Sequence, residues 1–274
     1  MIQLLNGETY LQGEINTLSE SDNFYYGHLQ KHALSSSILR NIYEDMNKQL
    51  EYLKKASIGK ERDAEPLILG KLAHWCWLEP DKFYKKHFID APRINSPEYI
   101  EAEKQFGREN VFKDKYRGLV EWWCRKLDNN EVVRDIRKDA DVEVPMIGMI
   151  DVDEISYPVR GKADLIKGDT IYDLKTGIVS PKDFEWKIKN MHYDLQAYIY
   201  LELFKDQGIN NFKFIYINKN NRSMGLIDMP EEVIARGGRK FKVAVQLYME
   251  NFYNKDLDQI EYALDQYLYF GEAK

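Results

Sequence analysis

The chain has 274 residues, 44% hydrophobic and 31% charged, which is ample apolar material for one large or two small packed domains and excludes general disorder. A formal net charge of −6 argues against coating nucleic acid by bulk attraction, while leaving room for a locally basic groove around an acidic site. With only Cys76 and Cys124, neither a disulfide framework nor a four-cysteine zinc or iron–sulfur site can form within one chain.

The first residues lack a basic region followed by an apolar run, and no stretch approaches the roughly 18 apolar residues of a membrane helix. A soluble, unexported, cytoplasmic protein with no membrane partner is expected. Residues 1–33 carry little periodicity and predict an irregular or short-stranded lead-in. From Ser35-Ser36-Ser37, hydroxyls suited to capping precede Ile38, Leu39, Ile42, Tyr43, Met46, Leu50 and Leu53 at helical spacing, predicting one amphipathic helix. A second helix should open at Pro66 and stop at Glu79-Pro80. Others should span Pro97 to Phe106, capped by Ser96, and Phe112 to Leu127.

From Val142 the pattern becomes β-rich: VEVPMIGMID, YPVRGKADLI and TIYDLKT, with a turn at Lys167-Gly168-Asp169. Helices over about 181–190 and 193–204, a strand pair at NFKFIYIN and SMGLIDM, and a long helix after Pro230 complete the chain. This order predicts an α/β fold, a mixed β-sheet flanked by helices with an N-terminal helical region. A single domain over 1–274 is expected, with a mainly helical part at 1–140, a sheet and helices at 141–228 and C-terminal helices at 229–274.

Asp173 and Lys175 lie two apart on a strand and project from one face, while Leu174 turns inward. If the preceding run forms a hairpin with it, Asp164 comes alongside. Two carboxylates and the Leu174 carbonyl make a hard oxygen site suited to Mg²⁺ or Mn²⁺, and a neighbouring lysine can act on a water or on phosphate charge. Phosphodiester hydrolysis is the chemistry implied. Alone, an Asp-x-Lys strand is more often a solvated sheet face.

Gly70-x-x-x-His74, Gly161-Lys162-Ala163-Asp164, Asp173-Leu174-Lys175-Thr176 and Gln196-x-x-x-Tyr200, in this order, resemble the PD-(D/E)xK nuclease superfamily. The likeness is greatest to its RecB-type branch with the phage and prophage RecE-like (exonuclease VIII) enzymes, and it spans roughly Leu34 to Phe204. The resemblance implies a restriction-endonuclease-like core. Asp164 and Asp173 would be metal ligands, Lys175 the catalytic lysine and His74 a further metal-site residue, with Gln196 and Tyr200 in the catalytic shell. Ala163 stands where the superfamily name has proline, and Asp173 takes the aspartate option. Glu143 is a candidate additional carboxylate. The resemblance also implies a metal-dependent exonuclease acting on DNA duplex ends in recombination or repair, a homo-oligomer, and a single-strand annealing protein as partner. A structure-specific or restriction-like endonuclease and a non-catalytic DNA-binding member stay open, while iron–sulfur relatives lack their cysteines here.

Phosphate contacts are expected from Arg160, Lys162, Lys182, Lys187 and Lys189, with Phe184 and Trp186 as stacking candidates. Arg236, Arg239, Lys240 and Lys242 form a second basic cluster around Gly237-Gly238.

Overall fold

The computed structural model describes residues 1–58 and 63–271, with side chains through 266. Its first segment pairs β1 (Ile2–Gln3) with β2 (Thr9–Tyr10) and continues through α1 (Gln12–Ser19), a π-helical turn at Asn23–His28 and α2 (Leu29–His32). Of the irregular or short-stranded lead-in expected, the β1–β2 pair is the short-stranded part, and the rest is largely helical. Ile2, Leu4, Ile15, Tyr25 and Leu29 bury together with Ile147, so tertiary packing supplies what a short weak pattern cannot.

β3 (Leu34–Ser35) leads into α3 (Ser36–Glu44), where the Ser35 hydroxyl accepts the Ile38 N–H at 3.4 Å. The single helix expected as far as Leu53 is two. Asp45 is extended, with φ −168° and ψ 114°, and its carboxylate accepts the Asn47 N–H at 2.9 Å, so the chain restarts as α4 (Met46–Ile58). α5 (Glu65–Leu78) has Pro66 in its first turn as anticipated, and α6 (Pro80–Tyr84) follows at once. β4 (His87–Ile89), α7 (Pro97–Phe106) and β5 (Val111–Lys113) come next, β4 pairing parallel with β5. That pairing delays α8 (Asp114–Asp128) by two residues, and α9 (Glu131–Arg137) follows it. Neither the β4–β5 pair nor α9 is legible in the sequence, because three-residue strands and a seven-residue helix are too short to show a period.

β6 (Asp141–Val152) and β7 (Ile155–Lys167) form a long antiparallel hairpin, and β8 (Thr170–Gly177) turns back at Gly168, whose φ of +61° suits the tight turn. After a 3₁₀ turn at Pro181–Asp183 come α10 (Phe184–Asn190), α11 (Tyr193–Phe204), β9 (Asn211–Asn218), β10 (Met224–Asp228), α12 (Glu231–Asn251) and α13 (Leu257–Gly271). β10, β9, β8, β7 and β3 lie in that order, with β6 also on β7, and β8 runs parallel to β9. One core joins the sheet to α10, α11 and α12, including Phe184, Leu195, Phe214 and Phe241. The other joins Leu165, Leu174, Ile215 and Ile217 to α5, α8 and α9. The architecture is thus a mixed sheet between two helical layers, as the sequence predicts.

One interruption in the sheet positions everything that follows. β6 covers one edge of β7 throughout. On the other edge β3 pairs at Val159 and Arg160, and β8 pairs at Leu165 to Lys167. Among the described residues no strand pairs 161–164 on that edge, and this is the Gly161-Lys162-Ala163-Asp164 segment. Side chains occupy the opening instead.

Candidate active site

Extending the observed registers by single residues places Glu143, Asp164 and Asp173 in one row across β6, β7 and β8, between Val142↔Leu165, Val144↔Ala163 and Leu165↔Tyr172. Carboxylates directly opposite one another repel, so such a row calls for cations. Glu143 has φ +53°, a strained value for a residue with a side chain within a strand. Asp164 Oδ2 accepts the Leu174 N–H at 2.7 Å, standing in for a missing ladder partner where β7 and β8 part.

Two helices reach this opening from opposite faces. From α5, His74 brings Nε2 within 2.9 Å of the Leu174 carbonyl and Nδ1 within 3.4 Å of Asp164 Oδ2. From α11, Gln196 donates to Asp173 Oδ1 at 2.6 Å, and the Tyr200 hydroxyl accepts the Lys162 N–H at 3.5 Å. Gly161 permits that approach, since a Cβ there would lie 2.9 Å from the Tyr200 ring. Lys175 meets Asp173 Oδ2 at 2.5 Å, and the Tyr193 ring centre lies 5.1 Å from its ammonium. Lys162 meets Glu143 at 3.2 Å and Asp22 at 3.8 Å.

The charges perturb one another. Burial, then the Asp173 charge, pushes the Asp164 carboxyl well above the ordinary carboxylate range. Burial, then Asp164, raises Glu143. For His74, burial and then the Lys175 charge favour the neutral imidazole, the form that binds metals. Burial opposes the Lys175 charge, but Asp173, Tyr193 and Asp164 outweigh it and lift the ammonium pKa.

One donor atom each from His74, Glu143 and Asp164 lies within 4.8 Å of the others. Asp173 stands beside this group, its buried Oδ2 ion-paired with the Lys175 ammonium at 2.5 Å. An imidazole nitrogen and carboxylate oxygens converging at one point fit a divalent ion of the Mg²⁺ or Mn²⁺ class.

The sequence matches the family described as a PDDEXK-like domain of unknown function (DUF3799) over residues 35–257. The chain belongs to this family. Its PD-(D/E)xK nuclease fold is shared by a protein titled "Putative exonuclease" from Eubacterium rectale, at TM-score 0.62 and 16% identity over 83% of this chain and 85% of that one. The alkaline exonuclease LHK-Exo from Laribacter hongkongensis aligns at TM-score 0.36 and 12% identity, over 91% of this chain and 100% of that one. No curated protein matches the sequence.

In this member of the PDDEXK-like family the basic residues divide. Lys182, Trp186 and Lys189 are exposed, Trp186 by 65%, and Lys187 is half-buried. Arg160 does not face outward. It is 7% exposed, donates to the Tyr25 carbonyl at 3.1 Å and lies over the Tyr25 ring, because the lead-in covers that part of β7. Phe184 is fully buried and cannot stack on a base. In the cluster around Gly237-Gly238 three of the four cations are engaged within the fold, Arg236 and Lys240 meeting the buried Asp194 at 2.5 and 2.9 Å and Lys242 pairing with Asp153, while Arg239 is exposed. Sequence reasoning missed Tyr193 beside Lys175, although its i,i+3 spacing from Gln196 on one helix face is the available signal. Among the described residues no helix is long and apolar enough to cross a membrane.

Proposed function

We propose that this chain is a Mg²⁺- or Mn²⁺-dependent deoxyribonuclease that hydrolyses phosphodiester bonds from DNA duplex ends. The observation carrying this reading is the convergence of His74, Glu143 and Asp164 within 4.8 Å, beside the Asp173–Lys175 pair. His74, Glu143 and Asp164 would hold the ion, with Asp173 Oδ2 and the Leu174 carbonyl as further donors. When bound, such an ion neutralises phosphate charge and makes a water acidic enough to attack near neutral pH. Lys175 orients that water or stabilises the charge developing on the phosphate. Gln196 holds the Asp173 carboxylate in place, and Tyr200 fixes the backbone at Lys162.

Lys162, Lys182, Lys187, Lys189 and the exposed Trp186 are the proposed strand contacts. End-directed cleavage follows from the resemblance to RecE-like enzymes, as do a cytoplasmic recombination or repair role, a homo-oligomer and an annealing partner. The whole chain is read as one nuclease unit. End-labelled linear duplex, nicked circle and closed circle, each with Mg²⁺, Ca²⁺ or chelator, test the reading. Cleavage of linear duplex alone, dependent on Mg²⁺, is expected. Cutting of closed circles would make the chain an endonuclease, and inactivity on all three would make it a binding protein.

A further inference from the structure

We infer that the carboxyl ends of β8 and β9 form a second phosphate site, in which Lys187 and Lys219 together hold a backbone phosphate of the nucleic-acid strand one or two nucleotides from the phosphate that is cut. The inference rests on the nuclease reading and deepens it. β8 and β9 run parallel and end side by side, Gly177 opposite Asn218, and the Lys219 N–H donates to the Gly177 carbonyl at 2.6 Å. Ligands of open α/β sheets gather outside such carboxyl ends.

Lys187 comes from α10 and lays its ammonium over Gly177, so that a Cβ there would lie 2.4 Å from Nζ. It also lies 5.7 Å from the Tyr216 ring centre. The Lys219 ammonium donates to the Pro66 carbonyl at 3.1 Å. Both lysines are half-buried, and among the described residues neither is ion-paired with a carboxylate. Lys82, Lys162, Lys175 and Lys240, by contrast, each meet one at 3.2 Å or less. Glu65, whose charge reaches Lys219, is itself held by Lys115 at 3.0 Å.

Neighbouring cations also bear on both lysines. Burial and then the Lys175 charge make Lys187 harder to protonate, and burial and then Lys187 do the same to Lys219. Half-buried like charges in a row raise the energy of the empty site, and an anion among them relieves it. Gly177 lies two strand residues beyond Lys175, or about 7 Å. A duplex strand rises about 3.4 Å along the helix axis per nucleotide, and successive phosphates lie further apart than that rise, so a phosphodiester one or two nucleotides away on the same strand matches this spacing.

The test is binding of a short blunt DNA duplex in Ca²⁺, across a salt series, by the full chain, by K187Q/K219Q and by K104Q/K205Q. The last removes the same charge from exposed lysines on other elements. For K187Q/K219Q, affinity at about 0.1 M salt should fall roughly 10-fold or more, and the slope of log K against log salt should flatten by about 1.5 to 2. The control should barely move. Because the pair is unfavourable without its anion, the Tm of K187Q/K219Q should hold or rise. An unchanged slope for K187Q/K219Q, or an equal loss in the control, would overturn the phosphate site while wild-type cleavage in Mg²⁺ still upheld the nuclease reading. If wild type neither binds nor cleaves duplex, the nuclease reading fails and takes this inference with it.

Discussion

Lys175 and Asp164 carry the sharpest tests at single residues. Lys175 touches the buried Asp173 at 2.5 Å, is itself half-buried, and shares its strand face. A lysine that only attracts DNA would, on replacement by alanine, weaken binding and reduce the salt slope by about one contact. A lysine acting on the water or the phosphate would instead lower the rate at saturating DNA by roughly 10² to 10³-fold. Single-turnover cleavage by Lys175→Ala, with binding measured separately in Ca²⁺, should give the second result, and a wild-type saturating rate would make Lys175 a docking residue. Asp164→Asn and Asp173→Asn should each leave the circular dichroism spectrum native and abolish detectable cleavage. Folded variants cutting at wild-type speed would remove both from the site. His74 belongs to a different class, since its ring spans Leu174 and Asp164 from another layer. His74→Ala should raise the Mg²⁺ concentration needed for half-maximal cleavage while shifting Tm only slightly. A large Tm loss with an unchanged metal requirement would make it a core histidine.

At the scale of elements, α11 is the piece whose placement matters most, because Tyr193 and Gln196 face Lys175 and Asp173 from its first turn and a half. Its start is gripped by α12: Asp194 is fully buried, Arg236 and Lys240 converge on it, and Gly237 packs so closely that a Cβ would lie 2.1 Å from the Asp194 carbonyl. Removing one member of a buried ion cluster leaves uncompensated charge and typically costs about 3 to 5 kcal/mol. Asp194→Ala should therefore lower the urea midpoint markedly, and Gly237→Ala should do the same by steric conflict. A midpoint unmoved in Asp194→Ala would show that the clamp does not hold α11. The sequence announces α11 through dense apolar residues and the strands through their β-branched runs. The clamp is hidden, because RGGRK reads as a solvated basic patch until the fold supplies a buried aspartate 42 and 46 residues away from its cations. Asp164, Asp173 and Lys175 are legible for the opposite reason: strand periodicity alone puts the last two on one face, and a two-residue turn brings the first across. Glu143 and His74 meet them only through pairing and layering, which local spacing does not encode.

For the whole molecule, the acidic row lies where the sheet opens between two apolar cores, and this couples ion binding to global stability. Ionised Asp164 and Glu143 are disfavoured by burial and by the neighbouring carboxylates. A carboxyl raised in the folded state contributes stability that is fully present below its unfolded pKa and is lost as pH rises through the folded value, so at neutral pH the row weakens the metal-free protein. A divalent ion bound only to the folded state should reverse this. At 100 times its Kd it adds about 2.7 kcal/mol, which for a chain of this size amounts to a Tm rise of roughly 5 °C or more. Wild type should therefore melt higher with Ca²⁺ or Mn²⁺ than with chelator at pH 7.5. Asp164→Asn removes one charge from the row but also one ligand, so it should start from a metal-free Tm at or above that of wild type and gain little from either ion. Thermal melts of the two proteins under the same three conditions provide the measurement. A wild type indifferent to both ions, or an Asp164→Asn variant stabilised as strongly as wild type, would mean that the row is neutralised by Lys162 and Lys175 alone and holds no metal.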